Sequence, residues 1–405
     1  MHQTMDIQQQ LIVHIQKTIL NNEETTYKPF MILACQTKNS VLLEALLKMD
    51  QFNPEIIHRH YSDLLFTCLN LILENAKSND AFVNVEVTAS LIHKIKLLIK
   101  NGANVNTKKD NGQTILYSAT DVAIRCDLPE LITPLLDSGA NPLIFTKFYT
   151  VNDINNKAIK TLIAEAIHNK LMRSIELNDT ELFETCIAQL SNSYIESKLD
   201  DLFNTFSSQS EYNQQSAAPF KHLILKRLIK SFLESIRLNA ESRTLDVLKI
   251  INNHITPYDI ETFDTELKGL LNRPLNAAIR KAQSTIVQAF LESQLLTHSI
   301  NEEINGVSRP LAVACEIPNN RHIFDLLLND ASVDPNIRGT FNTPLLIQCI
   351  KIKSLHTNAM CLLAHPKIDV LAETDDGRNA FEVSFGGFFW KAFDLSIYLI
   401  FKLIS

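Results

Sequence analysis

Residues 101–119 read NGANVNTKKDNGQTILYSA, and this stretch decides the fold. An apolar segment at helical spacing ends near Ile99, and Gly102 is placed to end that helix with a left-handed residue. A polar loop follows, in which Gly112 permits a tight turn. The hydroxyl of Thr114 is placed to accept from free backbone N–H groups at the start of the next helix. The stretch therefore predicts a helix, a hairpin loop and a second helix.

Related sequences recur along the chain at nearly constant spacing. The apolar position equivalent to Leu116 falls successively at Met31, Leu65, Leu116, Leu171, Phe232, Leu275, Leu311, Leu345 and Phe381. Four of the steps between neighbours are 34, 36, 34 and 36 residues, and the longer steps carry insertions. A period of this size indicates stacked helix pairs, in which each pair covers the apolar face of its neighbour.

The segments GANVN and DNGQT-I-L resemble the ankyrin repeat, whose period is about 33 residues. The sequences RPLNAA, RPLAVA and TPLLIQ, which begin at residues 273, 309 and 343, are similar to its TPLHxA motif. The resemblance is specific over 91–146 and 273–385, moderate over 28–60 and weak over 147–270. It implies an all-α ankyrin-repeat solenoid of about nine helix-pair units, with degenerate central repeats and a C-terminal capping helix.

The domain organisation follows from where the motifs are strong and where they fade. We expect an N-terminal capping helix at 1–27, three ankyrin units at 28–146 with a polar insertion at 75–90, degenerate helical repeats at 147–270, and four ankyrin units with a C-terminal helix at 271–405. A polar, helix-poor stretch at 204–217 predicts a mobile loop within the degenerate part.

The chain departs from the family motif at its histidine. The aligned copies carry Ile32, Tyr117, Asn276, Ala312, Leu346 and Glu382 in that place. Because this histidine ties adjacent loops together in the family, the resemblance implies fewer ties between loops and an unchanged helix stack.

Composition and motifs argue against several classes of function. A net charge of −7 and a pI near 6.0 lack the basic footprint of a nucleic-acid binder. The sequence contains no phosphate-binding glycine loop and no HExxH or GxSxG motif. Seven widely spaced cysteines without a CxxC pair predict reduced, buried thiols. We expect no catalytic residue, no cofactor, no metal site and no small-molecule substrate.

Two clusters of basic side chains are interpreted as solvated surface. The stretch His58-Arg59-His60 is the densest group of histidines, and it is expected in an exposed turn between repeats rather than at a metal site. Lys94, Lys96 and Lys100 are spread around a predicted helix and indicate an exposed face.

Hairpin tips project from an ankyrin array and commonly contact partners in the family. By that resemblance Lys108, Lys109 and Asn111 are candidate partner-binding residues, together with Tyr117 in the helix that follows. Trp390 is a fifth candidate, because tryptophan is favoured at the centres of interfaces. The alternative for Trp390 is that its aromatic run covers the core of the final repeat.

The leading functional hypothesis is a non-catalytic scaffold for protein–protein interaction. Irregular repeats in an Asn-, Ile- and Lys-rich chain look like the ankyrin-containing effectors of intracellular bacterial pathogens. That resemblance implies a host protein as partner and delivery into the host cell by a secretion system, with a cytoplasmic location otherwise. The polar N-terminus lacks a signal-peptide apolar segment. The alternatives are an enzyme with an unrecognised active site in 147–270 and a membrane-associated adaptor anchored by 388–405.

Overall fold

The structure is a computed structural model of the whole 405-residue chain. It describes residues 27–37, 40–48, 54–77, 81–143, 151–207, 214–263, 265–296, 299–317 and 320–386, together with Gln10 and Val13. The chain divides into two compact units, residues 1–191 and residues 192–405. Most of the predicted N-terminal capping helix, the predicted C-terminal helix and Trp390 lie outside the described residues.

The first unit consists of helices joined by short turns. Its helices are α1 (Tyr27–Gln36), α2 (Val41–Leu47), α3 (Pro54–Ala76), α4 (Ala81–Lys100), α5 (Ile115–Cys126), α6 (Ile132–Asp137), α7 (Lys157–Glu176) and α8 (Thr180–Gln189). Short 3-10 turns precede α6 at Pro129–Leu131 and α7 at Val151–Asp153. Successive helices form pairs, and the first helices of neighbouring pairs stack on one another, α1 on α3, α3 on α5 and α5 on α7.

The second unit repeats this construction. Its helices are α9 (Asn192–Ser197), α10 (Leu199–Ser207), α11 (Gln214–Arg237), α12 (Glu241–His254), α13 (Pro257–Thr262), α14 (Thr265–Arg280), α15 (Ser284–Glu292), α16 (Pro310–Cys315), α17 (Arg321–Leu328), α18 (Leu345–Lys351), α19 (His356–Ala364) and α20 (Ala380–Gly386). Here α11 stacks on α14 and α14 on α16, while α12, α15, α17 and α19 form the second row of the stack.

The repeating apolar position marks the core of each stack. Each of the nine aligned residues lies on a first helix of a pair or on α20, and the eight from Met31 to Leu345 are buried. Phe381, the ninth, is half-buried. Each buried side chain of this size stabilises the fold by about 1.5–3 kcal/mol, so stability is distributed along the stack rather than concentrated in one place.

Several turns that follow a first or second helix of a pair share one hydrogen-bond pattern. At Gly102 and Gly139 the backbone is left-handed (φ 93° and 82°), and the next N–H donates to a carbonyl five residues earlier. Asn178, Asn239 and Ala282 have φ values of 54°, 56° and 57° and are followed by the same bond. This is the Schellman ending of a helix, which closes carbonyl groups that the helix itself leaves without partners.

Asparagine side chains tie neighbouring loops together. The amide of Asn106 donates to the carbonyl of Gly139 (3.0 Å), and its oxygen accepts from the N–H of Asn141 (2.7 Å). The same two bonds recur from Asn301 to residues 332 and 334, and from Asn336 to residues 367 and 369. The ties that were expected to weaken with loss of the motif histidine are therefore present in another form.

One residue in the histidine position makes such a tie directly. Asn276 is buried on α14, and its amide donates to the carbonyl of Ser308 at 2.7 Å, in the loop before α16. The expectation of fewer loop contacts is thus wrong at this repeat, because an asparagine amide reaches the same kind of backbone acceptor that an imidazole N–H would.

Several segments that were predicted to be insertions, turns or loops contain helix. The supposed insertion at 75–90 contains the end of α3 and the first half of α4. His58, Arg59 and His60 lie within α3 rather than in a turn. The predicted loop at 204–217 includes the end of α10 and the start of α11, and residues 208–213 between them are outside the described part. Polar composition was mistaken for loop because helices in a stack need only one apolar face.

The all-α class is confirmed, since the described residues contain helices, turns and three isolated bridges but no strand. The ankyrin assignment, the number of units and the four domain boundaries stay predictions. Among the helices that the structure describes, none has the length and apolar character required to cross a bilayer. The predicted membrane anchor at 388–405 is outside that search.

Candidate partner-binding site

The hairpin predicted from residues 101–119 forms in the first unit. Lys108 and Thr114 make an antiparallel bridge, and the N–H of Lys109 donates to the carbonyl of Gln113 at 2.9 Å. Gly112 closes the tip with a φ of 80°, a left-handed value that glycine adopts without strain. Thr114 then begins α5, and its hydroxyl oxygen accepts from the N–H of Tyr117 at 3.1 Å, as predicted.

The predicted hairpin residues have different surroundings. Lys108 is exposed beside a groove. Lys109 is half-buried, with its ammonium 4.6 Å from the centre of the Phe66 ring on α3. Asn111 is exposed, but its side chain braces the turn through both the N–H and the side chain of Gln113. Tyr117 is half-buried on α5. Among these residues Lys108 is therefore best placed for a partner.

The groove beside Lys108 has a volume of about 730 Å³ and lies between the hairpin and α7. Its charged lining residues are Lys108, Lys170 and Arg173, and its described lining includes no carboxylate. Lys170 and Arg173 are three residues apart on α7, so they lie on the same side of that helix. Sequence reasoning missed both, although this spacing in a helix was visible.

Two apolar side chains, here called the apolar wall, line the same groove as the cations. Leu177, which follows α7, is 61% exposed, and Leu182 on α8 is half-buried. The chain turns directly after Leu177, at the left-handed residue Asn178. The groove therefore presents both cations and apolar groups.

A second groove, in the second unit, is bordered by an aromatic side chain. It measures about 620 Å³ and its lining includes Phe341, Arg309, Arg338 and Glu303. Phe341 is 92% exposed and has a left-handed backbone, with φ at 57°. Both arginines are engaged with backbone carbonyls: Arg309 donates to Arg338, and Arg338 donates to Asn342 and Glu373.

A third groove lies in the region where the enzyme hypothesis was placed. Its volume is about 800 Å³, and its lining includes Glu196 and Arg243. Arg243 donates to both carboxylate oxygens of Glu196, at 2.7 and 2.9 Å, and Ser231 donates to the same carboxylate. Because Glu196 and Arg243 pair with each other, we interpret this interaction as a structural link between α9 and α12.

Five of the seven cysteines are buried as predicted, Cys126 and Cys361 are half-buried, and all seven are free. Burial raises the pKa of the Cys186 thiol to about 11. Cys315 and Cys349 lie in neighbouring repeats with their sulfur atoms 2.8 Å apart, and the hydrogen bond between them lowers the pKa of Cys315 and raises that of Cys349. In the described part of the chain, no group of three His, Cys, Asp or Glu side chains converges on a point that could hold a metal ion.

Lys94 is the residue for which the sequence interpretation was most clearly wrong. Its side chain is fully buried, whereas Lys96 and Lys100 are exposed as predicted. Its ammonium donates to the carbonyls of Cys35 and Thr37 at the end of α1. Burial lowers the pKa of Lys94. The partial negative charge at the end of α1 explains why a cation is tolerated there.

Comparison with known proteins gives little guidance. No family model and no curated protein matches the chain. The solved structure of a "circular tandem repeat protein with novel repeat topology and enhanced subunit contact surfaces" aligns with 98% of this chain and 90% of its own, at 13% identity and a TM-score of 0.28. At that TM-score the alignment carries no argument about function, so function is argued from the site itself.

Proposed function

We propose that this chain is an ankyrin-repeat protein that works as a non-catalytic scaffold for protein–protein interaction. The observation that carries the proposal is the groove beside Lys108, which combines a hairpin tip with cationic and apolar side chains on packed helices. A preformed surface of this kind loses little conformational entropy when a partner binds. The repeated helix pairs and asparagine-tied loops support the ankyrin assignment.

The structure refines which side chains should be changed in a binding test. Replacing Lys109 or Asn111 would disturb the hairpin, because one contacts Phe66 and the other braces the turn. Lys108 and Lys170 instead contribute charge to the groove. The double variant Lys108→Glu/Lys170→Glu is therefore matched with Lys96→Glu/Lys157→Glu, which carries the same charge change at exposed positions of the same unit.

The experiment is a quantitative affinity capture from eukaryotic cell lysate with the three proteins. We expect a dominant protein partner that is captured by the wild type and by the control variant but lost with the groove variant. Equal capture by all three would place binding elsewhere. If no protein is enriched, the scaffold proposal is contradicted, and the alternative of an enzymatic activity in 147–270 should be tested.

We further propose that the partner is a host protein and that the chain is a secreted bacterial effector. The support is the resemblance of its irregular repeats and its Asn-, Ile- and Lys-rich composition to ankyrin-containing effectors. A fusion of the full chain to a reporter that is modified only in host cytosol tests delivery. Signal that depends on the secretion apparatus is expected, and signal confined to the bacteria would contradict this part of the proposal.

A further inference from the structure

We propose that the groove between the 106–114 hairpin and α7 binds an acidic segment of a partner protein that also carries apolar side chains. The inference rests on the proposed scaffold function and names the chemical class of what the scaffold holds. It is argued from the charge, the apolar wall and the rigidity of the groove.

Charge is the first argument. Lys108, Lys170 and Arg173 line the groove, and the lining that the structure describes contains no carboxylate to neutralise them. Lys170 donates to the side-chain oxygen of Asn141 at 2.8 Å, which is a neutral partner. The chain as a whole has a net charge of −7, so this groove has the opposite sign to the molecule. Complementary charge favours an anionic occupant and excludes cationic ones.

The apolar wall is the second argument. Leu177 is 61% exposed, which leaves most of a large aliphatic side chain in water beside the three cations. Covering apolar surface contributes about 25 cal/mol for each Å² removed from water. A simple anion would leave this apolar wall exposed, whereas a peptide that carries both acidic and apolar side chains would contact the cations and cover the apolar wall.

Rigidity is the third argument. Asn106 bonds to Gly139 and Asn141, and Asn141 accepts from Lys170, so one chain of hydrogen bonds connects the hairpin, the turn after α6 and α7. These bonds fix the position of the Lys170 ammonium before any partner arrives. A fixed cation loses less side-chain entropy on binding than a free surface lysine.

A nucleic acid is the competing anionic occupant, and the groove favours peptide over it. Proteins that hold single strands without sequence preference stack bases on aromatic side chains, and the described lining of this groove has none.

The test measures fluorescence anisotropy of a labelled peptide that repeats Asp-Glu-Leu four times, at about 0.15 M salt. The unlabelled competitors are the acidic peptide itself, the same peptide with Asn and Gln in place of Asp and Glu, and a single-stranded DNA of similar length. We expect saturable binding, competition by the acidic peptide alone, and about tenfold weaker binding by Lys170→Gln/Arg173→Gln.

Further variants separate binding from folding. Lys108→Gln changes an exposed tip and should weaken binding several-fold with an unchanged melting curve. Leu177→Ser tests the apolar wall. The matched controls are Lys157→Gln, about 20 Å along α7 from Lys170, and Val85→Ser, an exposed aliphatic residue on α4. Both controls should bind like the wild type.

Three results would overturn the inference: no binding of the acidic peptide, equal affinity in the groove variants, or stronger competition by DNA than by peptide. Failure here is distinguishable from failure of the scaffold function. A protein captured from lysate and lost with the Lys108/Lys170 variant would preserve the scaffold proposal even if the acidic peptide did not bind.

Discussion

The ammonium nitrogen of Lys94 lies 3.0 Å from the carbonyl oxygen of Cys35, at the end of a helix 59 positions earlier in the sequence. A second bond of 2.5 Å joins the same ammonium to the carbonyl of Thr37. Lys94 lies on α4, in the neighbouring helix pair, and its buried ammonium therefore caps the C-terminal end of α1. This relationship makes a buried cation part of the stacking rather than a defect in it.

Replacement of Lys94 by methionine should destabilise the first unit. The variant keeps the length of the side chain but leaves two buried carbonyls without their donor, and we expect a loss of about 2–4 kcal/mol in the free energy of unfolding. Urea denaturation followed by circular dichroism measures it. Lys96→Met, on the exposed side of the same helix, should change stability by less than about 0.5 kcal/mol. Equal stability of Lys94→Met and wild type would contradict the role assigned to Lys94.

The pH dependence of stability follows from the lowered pKa of Lys94. Because burial lowers that pKa below its ordinary value of 10.5, the folded chain releases the proton at a lower pH than the unfolded chain. Between the two values the unfolded chain binds more protons, so the wild type should gain stability with rising pH relative to Lys94→Met. Below the folded pKa the difference should be constant. Denaturation curves of both proteins at stepped alkaline pH measure it, and a shrinking difference would reverse the assigned sign.

Phe341 should lose strain when it becomes glycine. A non-glycine residue in the left-handed region costs about 1–2 kcal/mol. The Phe341 ring is 92% exposed, so its burial contributes little stabilisation to offset that cost. After the entropy of glycine is subtracted, Phe341→Gly is expected to stabilise the second unit by about 0.5–1 kcal/mol. Phe341→Ala keeps the left-handed strain and should leave stability nearly unchanged. Chemical denaturation measures the free energy of unfolding of both variants. A large loss of stability in Phe341→Gly would mean that the ring packs against the protein.

Asn336 should contribute to coupling between repeats. Its amide donates to the carbonyl of Lys367 at 2.9 Å, and its oxygen accepts from the N–H of Asp369 at 2.7 Å. Loss of both bonds in Asn336→Ala is expected to cost about 1–2 kcal/mol and to speed hydrogen exchange at the Asp369 amide. Asn252→Ala, at an exposed position on α12, is the control. Unchanged exchange at Asp369 would show that this loop is held by other contacts.

The thiols should react in the order of their burial. Cys126 and Cys361 are half-buried, whereas the other five cysteines are buried. Cys186 in particular combines burial with a pKa of about 11, so little of it is thiolate near neutral pH. Mass spectrometry after iodoacetamide treatment of the folded protein should find Cys126 and Cys361 modified first and all seven modified in urea. Early modification of Cys186 would contradict its placement in the core.

Local chemistry made much of the helix stack predictable. Gly102 marked the end of α4 and Thr114 marked the start of α5, both as predicted. These features depend on a few neighbouring residues, so a single sequence contains them. The polar halves of α3 and α4 were missed because they lack the apolar periodicity from which a helix is predicted.

The site was less predictable because it is assembled from distant segments. Lys108 was singled out from its hairpin, but Lys170 and Arg173 come from a helix over which the resemblance to the repeat is weak. Lys94 looked like its exposed neighbours, and only the packing of α4 beside α1 places it in the core. Sequence spacing gives the face of a helix on which a side chain lies, and it does not give what that face meets.

The left-handed turns at Asn178, Asn239 and Ala282 bear on how such a chain diverges. Each keeps the hydrogen bond that follows Gly102 and Gly139, although glycine is absent. Replacing glycine by another residue at such a position costs about 1 kcal/mol, so a long array remains folded with several such replacements. Substitutions can therefore remove the residues that define a repeat motif while the backbone path within each unit persists. An array of this kind can lose its sequence motif well before its architecture is lost.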